Sequence, residues 1–293
     1  ALRRCALRVH ALVLALRPPA LLRRLGVTVG EARTWHHGLV ARWWAEFNLD
    51  GPEIDFFRPF VETGQPALDV ACGTGRLLIP YLHSGLDVDG CDVSPDMLAL
   101  CRERAEREGL APPQLHAQAV QELDLPRRYR TIVFCGGFGL GGHRDDDLEG
   151  LRRLHAHLEP GGTLVLDNEV PYADTFLWPR WTREGRSDLP RPWREPGERR
   201  AGSDGAEYAL RTRLVALDPL AQHATLELRA WMWRDGGLVA EEEHALELTH
   251  YFTHEVRLLL EQAGFVDVDL RAGYEDRPPT GDDDFVVFVA RKP

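Results

Sequence analysis

The stretch Leu68-Asp69-Val70-Ala71-Cys72-Gly73-Thr74-Gly75-Arg76 decides the fold. Pro66 precedes a short apolar run, Ala67 to Ala71, which ends in a glycine-rich turn; this reads as a buried strand feeding a helix over Arg76 to Leu82. Glycine at 73 and 75 lets the backbone approach a ligand where any Cβ would intrude. The first turn of the helix offers unpaired N–H groups to an anionic group. A second strand, Asp87 to Cys91, ends at Asp92, and a carboxylate at that place can accept both hydroxyls of a ribose. Ser94 and Pro95 follow as N-cap and first helical residue, and Met97, Leu98, Cys101 and Ala105 then fall on one helical face.

Outward from this unit the alternation continues. A weak strand at 115–120 and a stronger one from Thr131 to Cys135 precede Gly136-Gly137. A helix over about Asp146 to Leu158 follows, and Pro160-Gly161-Gly162 turns the chain into the strand Thr163 to Asp167. Strand–helix alternation at this spacing predicts an α/β, doubly wound, mostly parallel sheet with helices on both faces. The pattern then breaks. Residues 179–205, rich in Pro, Arg, Gly and Glu, read as a mobile loop, and strand-like segments follow near 207–216, 222–234 and 238–249. In the second of these, Ala224, Leu226, Leu228, Ala230 and Met232 alternate with Thr225, Glu227, Arg229, Trp231 and Trp233, which predicts one buried and one exposed face. Asp235-Gly236-Gly237 is a hairpin signal, so a small antiparallel sheet is inserted late. A helix (Thr253 to Ala263) and the strands Phe265 to Leu270 and Asp284 to Ala290 close the chain. The loop between those strands is too short for a crossover helix, so the last strand is expected antiparallel, completing seven. The expected organisation is an extension over 1–34, a core over 35–175 and 250–293, and an insert over 176–249 on the substrate side.

Net charge is −11, and residues 1–34 carry +6 of it through seven Arg against Glu31, leaving −17 on the rest. So acidic a body repels phosphate backbones, which argues against a nucleic-acid partner. The five cysteines (5, 72, 91, 101 and 135) form no Cys-x-x-Cys pair, which fits reduced thiols in a cytoplasmic protein better than disulfides or zinc. No apolar run is long enough for a membrane span, so no membrane partner is expected. The Arg-rich 1–34 segment reads as a peripheral helix or misassigned start rather than a targeting segment, since no small-residue cleavage site follows its apolar stretch.

A dinucleotide-binding fold shares the glycine turn and the acidic strand end, but its third glycine would fall at Leu78. The quoted first stretch instead resembles the glycine-rich motif of class I S-adenosylmethionine (SAM)-dependent methyltransferases. Asp92-Val93-Ser94-Pro95-Asp96-Met97-Leu98 is similar to their second motif, and Leu158-Glu159-Pro160-Gly161-Gly162-Thr163-Leu164 to their turn into the fifth strand. Tyr251-Phe252-Thr253 through Ala263-Gly264-Phe265 resembles the closing helix and sixth strand, and the inserted sheet resembles that of small-molecule subgroups. The resemblance implies SAM as cofactor and a small-molecule methyl acceptor. It implies that Asp69 and the backbone of Ala71, Gly73 and Gly75 surround the amino-acid half, and that Asp92 binds the ribose. Val93 and Met97 would flank the adenine, Ala119 and Val120 lie along its edge, and Cys135 stand near the sulfonium. Many relatives carry an acid where this chain has Ala119; the adenine amino group must then be met by backbone, by Gln118 or Gln121, or by water.

Methyl transfer needs mainly a nucleophile held near attack distance in a dry pocket. Trp35, Trp43, Trp44 and Phe47 are either a lid over the cofactor or core residues of a helix, and Trp44 is included in the cofactor set. Candidate bases are Glu169 and Tyr172 after the fifth strand and His143 after the fourth, with His36 and His37 on the lid. Trp178, Trp181, Trp231 and Trp233 would shape the acceptor pocket, while Asp145-Asp146-Asp147 and Asp282-Asp283-Asp284 read as solvated loop charges, with no metal site. Methyl transfer to N or O of a small metabolite is the leading expectation. Other chemistry on SAM, or non-catalytic SAM binding, stays open.

Overall fold

The centre of the molecule is the four-residue strand β1 (Ala67–Val70), whose every side chain is buried because it is covered on both faces. It pairs in parallel with β2 (Val88–Asp92) on one side and β4 (Tyr129–Phe134) on the other. The computed structural model describes residues 34–293; the expectation for the Arg-rich extension lies outside the described residues but for Thr34. Adding β3 (Leu115–Ala117), β5 (Leu158–Glu169), β10 (Val266–Ala272) and β11 (Phe285–Arg291) gives a seven-stranded sheet in the order β10-β11-β5-β4-β1-β2-β3. β11 is antiparallel to both β5 and β10, as the short final loop predicts.

Among the described residues six α-helices follow in chain order: α1 (Gly38–Phe47), α2 (Pro52–Thr63), α3 (Leu78–His83), α4 (Pro95–Arg107), α5 (Arg144–His157) and α6 (Thr253–Gln262). Alternate side chains of each strand feed opposite cores. Leu68, Val70, Ile132, Phe134 and Phe288 pack with Leu151, Leu154, Val256 and Leu260 of α5 and α6. Ala67, Val133, Val165 and Val287 pack with Phe57, Leu78, Tyr81 and Cys101 of α2, α3 and α4.

The insert is a separate four-stranded antiparallel sheet, β6 (Arg200–Ala201), β7 (Glu207–Asp218), β8 (His223–Arg234) and β9 (Gly237–Thr249). Its small apolar face meets α1 through Leu228, Ala230 and Tyr208 against Leu39 and Val40. The expected exposed face of β8 is also covered, with Glu227, Trp231 and Trp233 buried. Its cover is the segment expected to be a mobile loop. Trp193 sits between the guanidinium groups of Arg213 and Arg229, each 4.5 Å from its ring centre, and Arg199 lies 4.1 Å over Trp233. A composition rich in Pro and Arg hides this strap because Arg–Trp stacking has no sequence period.

Helix α1 is fastened to both sheets. Its Gly38 and Leu39 N–H groups donate to Asp96 Oδ2 and Glu242 Oε2, each at 2.8 Å, and Ser94 Oγ donates to the His36 carbonyl at 2.5 Å. Carboxylates at a helix N-terminus satisfy unpaired donors and the helix dipole together.

Candidate active site

A cleft opens at the C-terminal ends of β1, β2 and β4, where the order of an open α/β sheet reverses. Asp69, Ala71, Gly73, Asp92, Val93, Met97, Ala119, Val120, Cys135 and Trp44 all line it. Gly75 does not line it. A Cβ there would stand 2.7 Å from Ile79 Cγ1 and 2.8 Å from Cys101 Sγ, at φ +84°, so this glycine serves helix packing instead of ligand approach. Gly73 is the residue that faces the cleft, at φ +54°. Ala71 also holds a left-handed backbone, φ +55°, which costs a residue with a Cβ about 1–2 kcal/mol.

Asp92 joins the two loops that form the floor: its Oδ2 accepts from Gly73 N–H at 2.9 Å and its Oδ1 from Ser94 N–H at 2.8 Å. Each oxygen retains a lone pair for a further donor, as a diol would supply. Burial raises the Asp92 carboxyl, and these N–H groups oppose the rise. Asp69 is wholly enclosed. It accepts from the Leu78 backbone, while its Oδ2 has no partner among the described residues. Burial, and then the charge of Asp92, push its carboxyl up to about 8. A buried acceptor without a donor, beside a second carboxylate, fits a ligand that brings an ammonium group and a ribose.

The opposite wall comes from the N-terminal segment. Trp44 and His36 line the cleft with their rings 5.2 Å apart, edge to face, whereas Trp43 and Phe47 pack against the insert. Burial, and then His37, lower His36 to about 4. Of the side chains expected to replace an acid at 119, Gln118 is engaged with the backbone of Asp124 through both amide atoms, and Gln121 faces the cleft.

A second cavity adjoins the first, sharing Gly136, Phe138 and Leu140, and reaches the insert at Leu248 to Tyr251. Glu169 lines it, raised by burial and then by Asp174 and Asp284. The other candidate bases are elsewhere. His143 precedes α5 and stacks on His223, rings 4.8 Å apart, outside both cavities; Tyr172 is exposed against the edge of Trp178. Trp231 and Trp233 lie beneath the strap on the far face of the insert and shape neither cavity. Trp181 stands edge-on to the cavity residue His250, ring centres 5.7 Å apart.

The structure adds residues that the sequence did not single out. Asp147, expected to be a solvated loop charge, lines the cleft, accepts from Tyr251 Oη at 2.6 Å, and is pushed up to about 6 chiefly by burial. Asp167, at the end of β5, accepts from Gly136 N–H and Tyr274 Oη at 2.6 Å each and from Cys135 Sγ at 3.2 Å. Arg76 lines the cleft beside Cys135, its charge matched by the buried Glu53. Among the described residues no group of three or more His, Cys, Asp or Glu could hold a metal ion, and no helix is long and apolar enough to cross a membrane.

Residues 67–162 match the methyltransferase domain family. A putative methyltransferase of Geobacillus sp. (strain WCH70) is 22% identical over 226 residues, covering 77% of this chain and 83% of that protein. The dTDP-3-amino-3,6-dideoxy-alpha-D-glucopyranose N,N-dimethyltransferase of Streptomyces fradiae is 35% identical over 102 residues, 34% of this chain and 38% of its own length. Among solved structures, an S-adenosylmethionine-dependent methyltransferase from Clostridium acetobutylicum aligns with a TM-score of 0.64 at 17% identity, over 86% of this chain and 97% of that one. A sugar N-methyltransferase from Streptoalloteichus aligns at 0.60 and 20% identity, over 91% and 98%.

Proposed function

We propose that this chain, a class I SAM-dependent methyltransferase, methylates the nitrogen of a small-molecule amine, an amino sugar being the first class to test. One observation carries the reading: a carboxylate-bearing cavity, with Glu169 in its wall, adjoins the cofactor cleft and shares Gly136, Phe138 and Leu140 with it. SAM supplies an electrophilic methyl group when bound. Asp69 receives the ammonium of its amino-acid half, with the backbone of Ala71 and Gly73 alongside, and Asp92 receives the ribose. Val93 and Met97 flank the adenine, Ala119, Val120 and Gln121 follow its edge, and Cys135 stands by the sulfonium. Trp44 closes the top.

An amine acceptor arrives protonated at neutral pH, and a cavity walled by Glu169 and Asp174 attracts that cation. It must lose a proton before attack, and the raised Glu169 carboxyl is suited to accept one. The sugar N-methyltransferase names among the relatives support nitrogen over oxygen. The net charge of −17 on residues 35–293 supports a small acceptor over a nucleic acid.

The test is transfer of labelled methyl from SAM to a panel of nucleotide-linked amino sugars and simple amines, each paired with its hydroxyl counterpart. Transfer to amines, reduced at least about tenfold by Glu169→Gln, is expected. Transfer confined to the hydroxyl partners sinks the nitrogen assignment, and methylthioadenosine formed from SAM alone favours other cofactor chemistry.

A further inference from the structure

Asp167 stands where the two cavities meet. It lines the acceptor cavity and touches Gly136, which belongs to both, and Cys135, which belongs to the cofactor cleft. It is almost wholly buried, and each hydrogen-bonding neighbour is a donor: the Tyr274 hydroxyl, the Gly136 N–H and the Cys135 thiol. The Gly136 N–H can only donate, and with the hydroxyl and the thiol directed at the same group the carboxyl is placed as an acceptor, the role both its oxygens have when ionised. Burial raises its pKa above that of a free carboxyl, and these donors, Tyr274 first, limit the rise. The nearby cation, Arg76, is ion-paired with buried Glu53, so once ionised the Asp167 carboxylate has no undivided counterion among the described residues. Tyr274, from the β10–β11 hairpin, is fixed by stacking on Phe285 and by edge contacts with Phe56 and Phe57, so the carboxylate is held from behind.

We propose that Asp167 is a specificity-determining charge that makes the cleft discriminate between the cationic sulfonium of SAM and the neutral thioether of S-adenosylhomocysteine. The inference rests on the cofactor reading of the cleft. Methyl transfer breaks the S–CH3 bond and forms an N–CH3 bond. It moves the positive charge from sulfur to the acceptor nitrogen, whose surplus proton then leaves to solvent, Glu169 having taken the first. A fixed carboxylate at the junction favours the cation on whichever side it lies, and its attraction for the spent cofactor ends with the reaction.

Calorimetric titration of SAM and S-adenosylhomocysteine into wild type, Asp167→Asn and Tyr274→Phe tests this without turnover. Asp167→Asn is expected to weaken SAM about tenfold while shifting the thioether by less than about threefold, so that their affinity ratio falls. Tyr274→Phe, which removes the donor that most limits the Asp167 pKa, is expected to lower the ratio at neutral pH and to recover it as the pH is raised, which the Asn variant cannot do. Equal weakening of both ligands by Asp167→Asn assigns the residue to structure only and overturns the proposal. Should that variant fail to fold, wild type alone decides: sinefungin, with an amine in place of the sulfonium, must bind more tightly than the thioether, and the reverse order overturns it. If wild type binds none of the three, the cofactor reading falls and this inference with it.

Discussion

Individual residues of the cofactor cleft have separable roles. Asp92→Ala removes a carboxylate that ties Gly73 to Ser94 and faces the cleft, so SAM affinity is expected to fall at least about tenfold by calorimetry, matching roughly 1.5–3 kcal/mol for a charged hydrogen-bonding group. Gly73→Ala and Gly75→Ala should diverge. The first places a methyl in the cleft 3.3 Å from Met97 Cε and reduces SAM binding; the second drives one into Ile79 and Cys101 and costs about 2 kcal/mol or more of stability, read as a lower thermal midpoint. Equal effects on both properties in the two variants would contradict that division. Asp69 couples binding to pH. Its carboxyl, at 3.8 in a free side chain and about 8 here, holds a proton at neutral pH that the unfolded chain would release. It therefore favours folding at low pH, and that contribution is lost as pH rises through about 8. A bound ammonium group expels the proton, so SAM affinity should rise from pH 6 to 8, by up to about tenfold per unit, and Asp69→Asn should flatten the profile. The glycine turn and Asp92 were legible in the sequence because strand ends and positive φ leave marks there, whereas Asp69, inside β1, entered only through the resemblance of its motif. The different duties of Gly73 and Gly75 were not, since what a missing Cβ makes room for depends on neighbours brought in by α3 and α4.

At the scale of elements, the alternation of strands and helices was readable almost throughout because β1, β4, β5 and β11 each bury a run of apolar residues between two helical layers. The antiparallel β11 followed from loop length alone. The strap over the insert was not readable. Its order comes from cation–aromatic contacts made by Trp193 and Arg199 with partners on β7 and β8. Trp193→Ala should release it, and limited proteolysis should then cut within 183–200 at least several-fold faster while SAM affinity stays within about twofold, because the strap lies away from the cleft. A strap that remained equally resistant would show that other contacts hold it. Asp147 illustrates the same limit from the opposite direction: three consecutive Asp look solvated, yet the start of α5 turns the third inward to Tyr251.

Across the whole molecule, α1 is the piece that binds core to insert, with Asp96 from one and Glu242 from the other holding its first turn. Glu242→Gln keeps a hydrogen-bond acceptor but removes the charge at the helix start. SAM affinity is expected to drop about two- to fivefold, consistent with roughly 0.3–1 kcal/mol for a carboxylate at a helix N-terminus. No change in affinity would mean that Trp44 and His36 keep their places without it. The two cavities have different builders: β1, β2 and β4 furnish the floor of the cleft proposed for the cofactor, whereas the loop after β5 and the end of β9 furnish the outer wall of the cavity proposed for the acceptor. Swapping in another enzyme's 170–181 and 246–251 segments should thus retune which compound is alkylated while leaving the methyl donor's grip intact, making this scaffold a chassis whose selectivity can be evolved one module at a time.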